Sequence, residues 1–146
     1  MSGIELKPGL KACIIHQVEE SDLATSWRND VPVLATPVLL WYAELACMQA
    51  ISGTLAPSQM TLGFGHEMRH LAPTPNGWTI QIEARLREID TKILSFDVRA
   101  SDGAEIILSG VHTRAIIERE RFLQRVKSKS DSSMAPSRQQ CPSPAL

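Results

Sequence analysis

From Trp78 to Arg87 apolar and polar residues alternate. Trp78, Ile80, Ile82, Ala84 and Leu86 fall on one side, and Thr79, Gln81, Glu83, Arg85 and Arg87 on the other. A period of two predicts a strand with one wet face. Leu94, Phe96, Val98 and Ala100 alternate with Ser95, Asp97 and Arg99 in the same way. Asp102-Gly103 then predicts a hairpin turn into the long run Glu105 to Ile117. Thr61 to His70 reads as a further strand. Leu10 to Val18, built around Ala12-Cys13-Ile14-Ile15, reads as the first, and the charged stretch Glu19 to Asp30 as loop.

One segment breaks the alternation. Thr36 as N-cap, Pro37 at the first helical position and Gly53 as the stop predict a helix over residues 37 to 52. Its sequence, PVLLWYAELACMQAIS, is apolar nearly all round, with Glu44 and Gln49 the clear exceptions. Such a helix is expected to be enclosed by protein. The order is therefore strand, helix, then four strands. One apolar helix wrapped by a mostly antiparallel five-stranded sheet is an α+β arrangement, and its element order resembles that of the hotdog fold.

At 146 residues the chain suits one domain, able to bury roughly 70% of its unfolded surface. The 43% hydrophobic and 21% charged residues exclude a wholly disordered, collagen-like or disulfide-framework chain. Fifteen basic against sixteen acidic residues provide no basic footprint for nucleic acid. Cys13, Cys47 and Cys141 are odd in number and far apart, which suggests neither a disulfide scaffold nor a zinc knuckle and fits a reducing compartment. Glu5 and Lys7 stand where a signal peptide needs an apolar core. The apolar stretch from Pro37 to Met48 is too short to span a bilayer and is broken by Glu44. A cytoplasmic protein with no membrane partner is expected. After Val126 the composition turns to Ser, Pro and Lys, so residues 1–126 are expected to fold and residues 127–146 to form a disordered tail.

The most conspicuous motif is His66-Glu67-Met68-Arg69-His70, which fits the zinc-protease pattern H-E-x-x-H. That chemistry needs both histidines on one helical face. Here Gly63 and Gly65 precede the motif, Pro73 and Pro75 follow it, and no helical periodicity surrounds it. On a strand, residues 66 and 70 stand about 13 Å apart, too far to share one ion. No metal is expected.

Glu44 is more informative, because an ionisable residue in an apolar helix suffers desolvation unless water or a partner compensates. Taken alone it reads either as turned to solvent or a structural hydrogen bond, or as a functional carboxylate. Thr36 alone reads as a helix cap and His70 as a strand-end histidine. Gly110, His112 and Arg114 share one face of the last strand, which alone reads as a polar outer face.

Taken together these residues form an ordered set. VLATPVLLWYAELACMQAI, then LGFGHEMRHLAPTPNG, then SGVHTRAII, resembles the fluoroacetyl-CoA thioesterase-like family of hotdog thioesterases, from about Gly9 to Val126. The resemblance implies an acyl-CoA thioesterase whose catalytic trio is Thr36, Glu44 and His70. Gly63 would lie near the thioester and Arg114 would be a supporting substrate contact. It implies no cofactor beyond the CoA of the substrate, and a homodimer that builds its acyl site between protomers. The sequence departs from the family pattern just before the threonine, where Asp30-Val31-Pro32 stands in place of an aromatic side chain. The chemistry is consistent, since thioester cleavage needs a nucleophile or activated water and a donor for the developing oxyanion. Two rivals share these residues: a hotdog hydratase or dehydratase acting on an acyl thioester, and a non-catalytic acyl-CoA binding module.

Overall fold

The computed structural model describes residues 3–132. Strand β1 (Lys11–Gln17) is followed by helix α1 (Thr36–Ala50), then β2 (Gln59–His70), β3 (Thr79–Asp90), β4 (Ile93–Ser101), β5 (Ile106–Glu118) and helix α2 (Arg119–Ser130). The five strands form one sheet in the order β1-β3-β4-β5-β2, with every neighbouring pair antiparallel. Among the described residues, β1 and β2 are its free edges. This is the α+β hotdog architecture expected from the element order.

The alternation in β3 and β4 sorts as their sequences predict. Ile80, Ile82, Ala84 and Leu86 of β3, with Leu94, Phe96, Val98 and Ala100 of β4, are buried beneath Leu39, Ala43 and Cys47 of α1. Each of these larger side chains contributes about 1.5–3 kcal/mol by leaving water. The opposite side of α1 departs from expectation. Trp41 and Met48 are 53% and 42% exposed, so the described residues enclose only one face of the apolar helix.

The N-cap of α1 is Ala35, not Thr36: the Leu39 amide donates to the Ala35 carbonyl, and Thr36 is the first helical residue. Pro37 still sits in the first turn, where its missing N–H costs no intrahelical bond. The Thr36 hydroxyl is thereby free of capping.

The stretch Glu19 to Asp30, expected as loop, contains two short 3-10 turns, Glu20–Asp22 and Ala24–Trp27. Buried Asp22 holds them by accepting from His16 at 2.7 Å and the Glu19 amide at 2.9 Å. The Leu34 and Ala35 amides donate to the carbonyls of Thr74 and Asp22. The start of α1 is thereby fixed beside the segment that follows β2.

α2 continues to Ser130, past the boundary expected after Val126, and its Leu123 and Val126 are exposed. The rest of the expected tail, residues 133–146, lies outside the described residues. Among the described residues, no helix is long and apolar enough to cross a membrane.

Candidate active site

The Thr36 hydroxyl, released from capping, lies 2.8 Å from Nδ1 of His70. His70 ends β2, so the strand terminus and the helix N-terminus bring the pair together. Burial lowers the His70 pKa below its ordinary 6.5, against an opposing contribution from the Ala72 backbone. The imidazole is therefore neutral at neutral pH, able to accept the threonine proton. Its buried Nε2 has no hydrogen-bond partner among the described residues. The pair stands on the wall of a cavity of about 550 Å³ whose apolar lining includes Trp27, Val31, Leu34, Leu71 and Pro73. That volume falls within the range of small-molecule sites.

Glu44 belongs to a second cluster. Its carboxylate lies against Gly63 of β2, so closely that a Cβ added to the glycine would stand 2.8 Å from Oε1 and 3.9 Å from an Arg114 nitrogen. His66 Nε2 is 3.3 Å from Glu44 Oε1 and His112 Nε2 is 4.0 Å away. Arg114, 3% exposed, donates from Nε to the Thr61 hydroxyl and from Nη2 to the Thr61 carbonyl, while Nη1 lies 3.2 Å from His112 Nε2. The reading of His112 and Arg114 as a polar outer face is thus overturned, since both are buried. A register shift between Gly63 and Gly65 re-aims β2 beside this cluster, and Phe64 at the shift is 68% exposed. Burial pushes the neighbouring Cys47 thiol up to about 12, so it stays protonated and is no nucleophile.

The candidate residues therefore occupy two separate clusters within one chain. Thr36 and His70 form one; Glu44, Gly63 and Arg114 form the other. Eight residues of α1 separate Thr36 from Glu44, about 12 Å, and seven residues of β2 separate Gly63 from His70, about 23 Å. His66 and His70 lie on one strand as expected and share no polar partner. His66 instead meets His112, with stacked rings 4.6 Å apart. Sequence reasoning did not find the His66–Glu44 contact or the place of Trp27 on the cavity wall. The first depends on the packing of α1 against β2, which leaves no local mark in the sequence.

Glu44, His66 and His112 offer donor atoms that all lie within 4.8 Å of one another, as a metal site would. The set fits an ion poorly. His112 Nε2 faces the Arg114 guanidinium, which can only donate and carries a positive charge.

A small apolar-helix hotdog with a threonine–histidine pair on a cavity wall and a separate carboxylate on the same helix falls in the class of hotdog-fold thioester hydrolases. Residues 18–120 match the family described as fluoroacetyl-CoA-specific thioesterase, and the chain belongs to that family. The fluoroacetyl-CoA thioesterase of Streptantibioticus cattleyicolor is 38% identical over 98 residues, which span 67% of this chain and 70% of that protein. A solved structure of the fluoroacetyl-CoA thioesterase FlK superposes with a TM-score of 0.79 at 30% identity, covering 86% of this chain and 98% of the other. A thioesterase superfamily member from Thermus thermophilus shares the fold, with a TM-score of 0.77 at 22% identity over 86% and 96% of the two chains.

Proposed function

We propose that this protein is a cytoplasmic, homodimeric acyl-CoA thioesterase that hydrolyses a small or medium acyl-CoA to free acid and CoA. This reading rests above all on the Thr36–His70 contact of 2.8 Å on the wall of an apolar cavity. The acyl chain occupies that cavity. The Glu44 carboxylate acts on the carbonyl carbon, directly or through a water, and the open backbone beside Gly63 and buried Arg114 face the thioester. Neutral His70, hydrogen-bonded to Thr36, handles the proton that ends on the CoA thiol. The reaction requires no cofactor.

Three observations support the dimer. Among the described residues β2 is a free edge; Trp41 of α1 and Phe64 of β2 are exposed; and the two clusters are too far apart to work together in one chain. Antiparallel pairing of β2 with its copy, centred between His66 and Glu67, sets the Gly63 end of one strand beside the His70 end of the other. Each complete site then takes Glu44 from one protomer and Thr36 with His70 from its partner. The unpaired thiols of Cys13 and Cys47 suit a reducing cytoplasm.

A screen of short, branched, aromatic and long acyl-CoAs with thiol detection tests the activity. Thiol release with at least one short or medium substrate is expected. Binding without thiol release would favour a binding module, and a hydrated or dehydrated acyl-CoA with its thioester intact would favour the hydratase reading.

A further inference from the structure

Arg114, His112, His66 and Glu44 stand in a row. Arg114 Nη1 is 3.2 Å from His112 Nε2; His112 Nδ1 is 3.2 Å from His66 Nδ1 and 3.0 Å from the Gly65 carbonyl; His66 Nε2 is 3.3 Å from Glu44 Oε1. A guanidinium has no lone pair to offer. His112 Nε2 must therefore accept, which leaves its proton on Nδ1. That proton points to the Gly65 carbonyl and to His66 Nδ1, so His66 Nδ1 must accept in turn and carry none. The proton of His66 is left on Nε2, the nitrogen beside the carboxylate.

We propose that this row is a tautomer relay, in which buried Arg114 fixes both imidazoles so that His66 presents an N–H to Glu44 and holds the carboxylate in its working position. His66 is a positioning residue, acting through Glu44. The burial of His112 agrees, since it pulls that pKa down to about 4 and keeps the ring neutral, as a relay with one proton per ring requires. The relay also accounts for the poor metal fit, because both imidazole lone pairs in the cluster are already engaged. Glu44 is 29% exposed at its side chain, with no side chain at Gly63 to brace it. A partly exposed carboxylate loses rotamer freedom when held, and an N–H donor at fixed distance offsets that loss.

The functional consequence rests on the catalytic reading of Glu44, but the relay itself is testable without turnover. Long-range proton–nitrogen NMR of imidazole-labelled wild-type protein at pH 7 reads the tautomer of each ring. The expected result is His112 protonated on Nδ1 and His66 on Nε2. A Nδ1-protonated His66, or rapid exchange between its tautomers, would overturn the relay. In kinetics, His66→Leu removes the donor and should lower kcat about tenfold with KM little changed, the effect of one lost charge-assisted hydrogen bond. His66→Gln, which keeps an N–H at similar reach, should restore kcat to within about twofold of wild type. Equal loss in both variants would contradict positioning by an N–H. If Glu44→Gln proves fully active while the tautomers are as assigned, the catalytic reading fails and the relay stands.

Discussion

Gly63 lacks a side chain at the point where a Cβ would come within 2.8 Å of Glu44 Oε1. Its backbone dihedral is not among the left-handed glycines, so alanine is conformationally allowed there and the cost falls on the carboxylate. Gly63→Ala should fold with a melting temperature close to wild type and lower kcat by about tenfold or more, because the carboxylate must swing away from its position. Unchanged kcat would mean that the place of Glu44 beside Gly63 is unimportant to the reaction.

Glu44→Gln keeps the volume of the side chain and removes its charge. Thiol release should fall on the order of 100-fold or more, while the fold survives. Circular dichroism and steady-state kinetics on one preparation separate the two effects. Near-normal turnover would remove Glu44 from the catalytic machinery.

The lowered pKa of His70 sets the pH dependence. The reaction needs the neutral ring, so kcat/KM should fall as pH drops through a midpoint below 6.5. Thr36→Ala should lower kcat as well, and the Thr36→Ala, His70→Ala double variant should lose much less than the product of the single losses. A multiplicative loss would show that the two residues do not act as one unit.

His112 carries a stability prediction. Its folded-state pKa, pulled from 6.5 to about 4 by burial, then by His66 and Arg114, lies below the unfolded value. Between those limits the unfolded chain takes up a proton that the folded chain refuses, so stability is complete above pH 6.5, declines as pH falls towards 4, and levels off below. The loss is on the order of 3 kcal/mol. Denaturant midpoints at pH 7 and pH 4.5 should differ more in wild type than in His112→Asn, which keeps a donor for the Gly65 carbonyl and cannot titrate. Equal differences would place the acid sensitivity elsewhere.

Much of the fold is legible in the sequence because β3 and β4 each bury one face and wet the other, which stamps a period of two on their residues. α2 leaves no such mark, since its Leu123 and Val126 remain exposed and the rest of its sequence is dominated by charge. Thr36 preceding Pro37 suggests a cap by local rule, but the tertiary partner, His70, claims its hydroxyl instead. Glu44 stands out through its chemical contrast with the helix around it. Its neighbours do not, because His66 reaches it from β2 across the helix–sheet contact and Arg114 reaches the cluster from a buried strand face. The H-E-x-x-H spacing draws attention to His66 and His70 as a pair, whereas the fold gives them different partners, Glu44 and Thr36.

If each complete site takes Glu44 from one protomer and Thr36 with His70 from the other, two inactive variants should rescue one another. Mixing Glu44→Gln with His70→Ala, by co-expression or by unfolding and refolding together, provides the test. A mixed dimer then holds one site with both lesions and one with neither. At random assortment about a quarter of wild-type activity should return from the two inactive parents. If the residues worked within a single chain, every site would carry one lesion, and a mixture no more active than its parents would rule out the shared site.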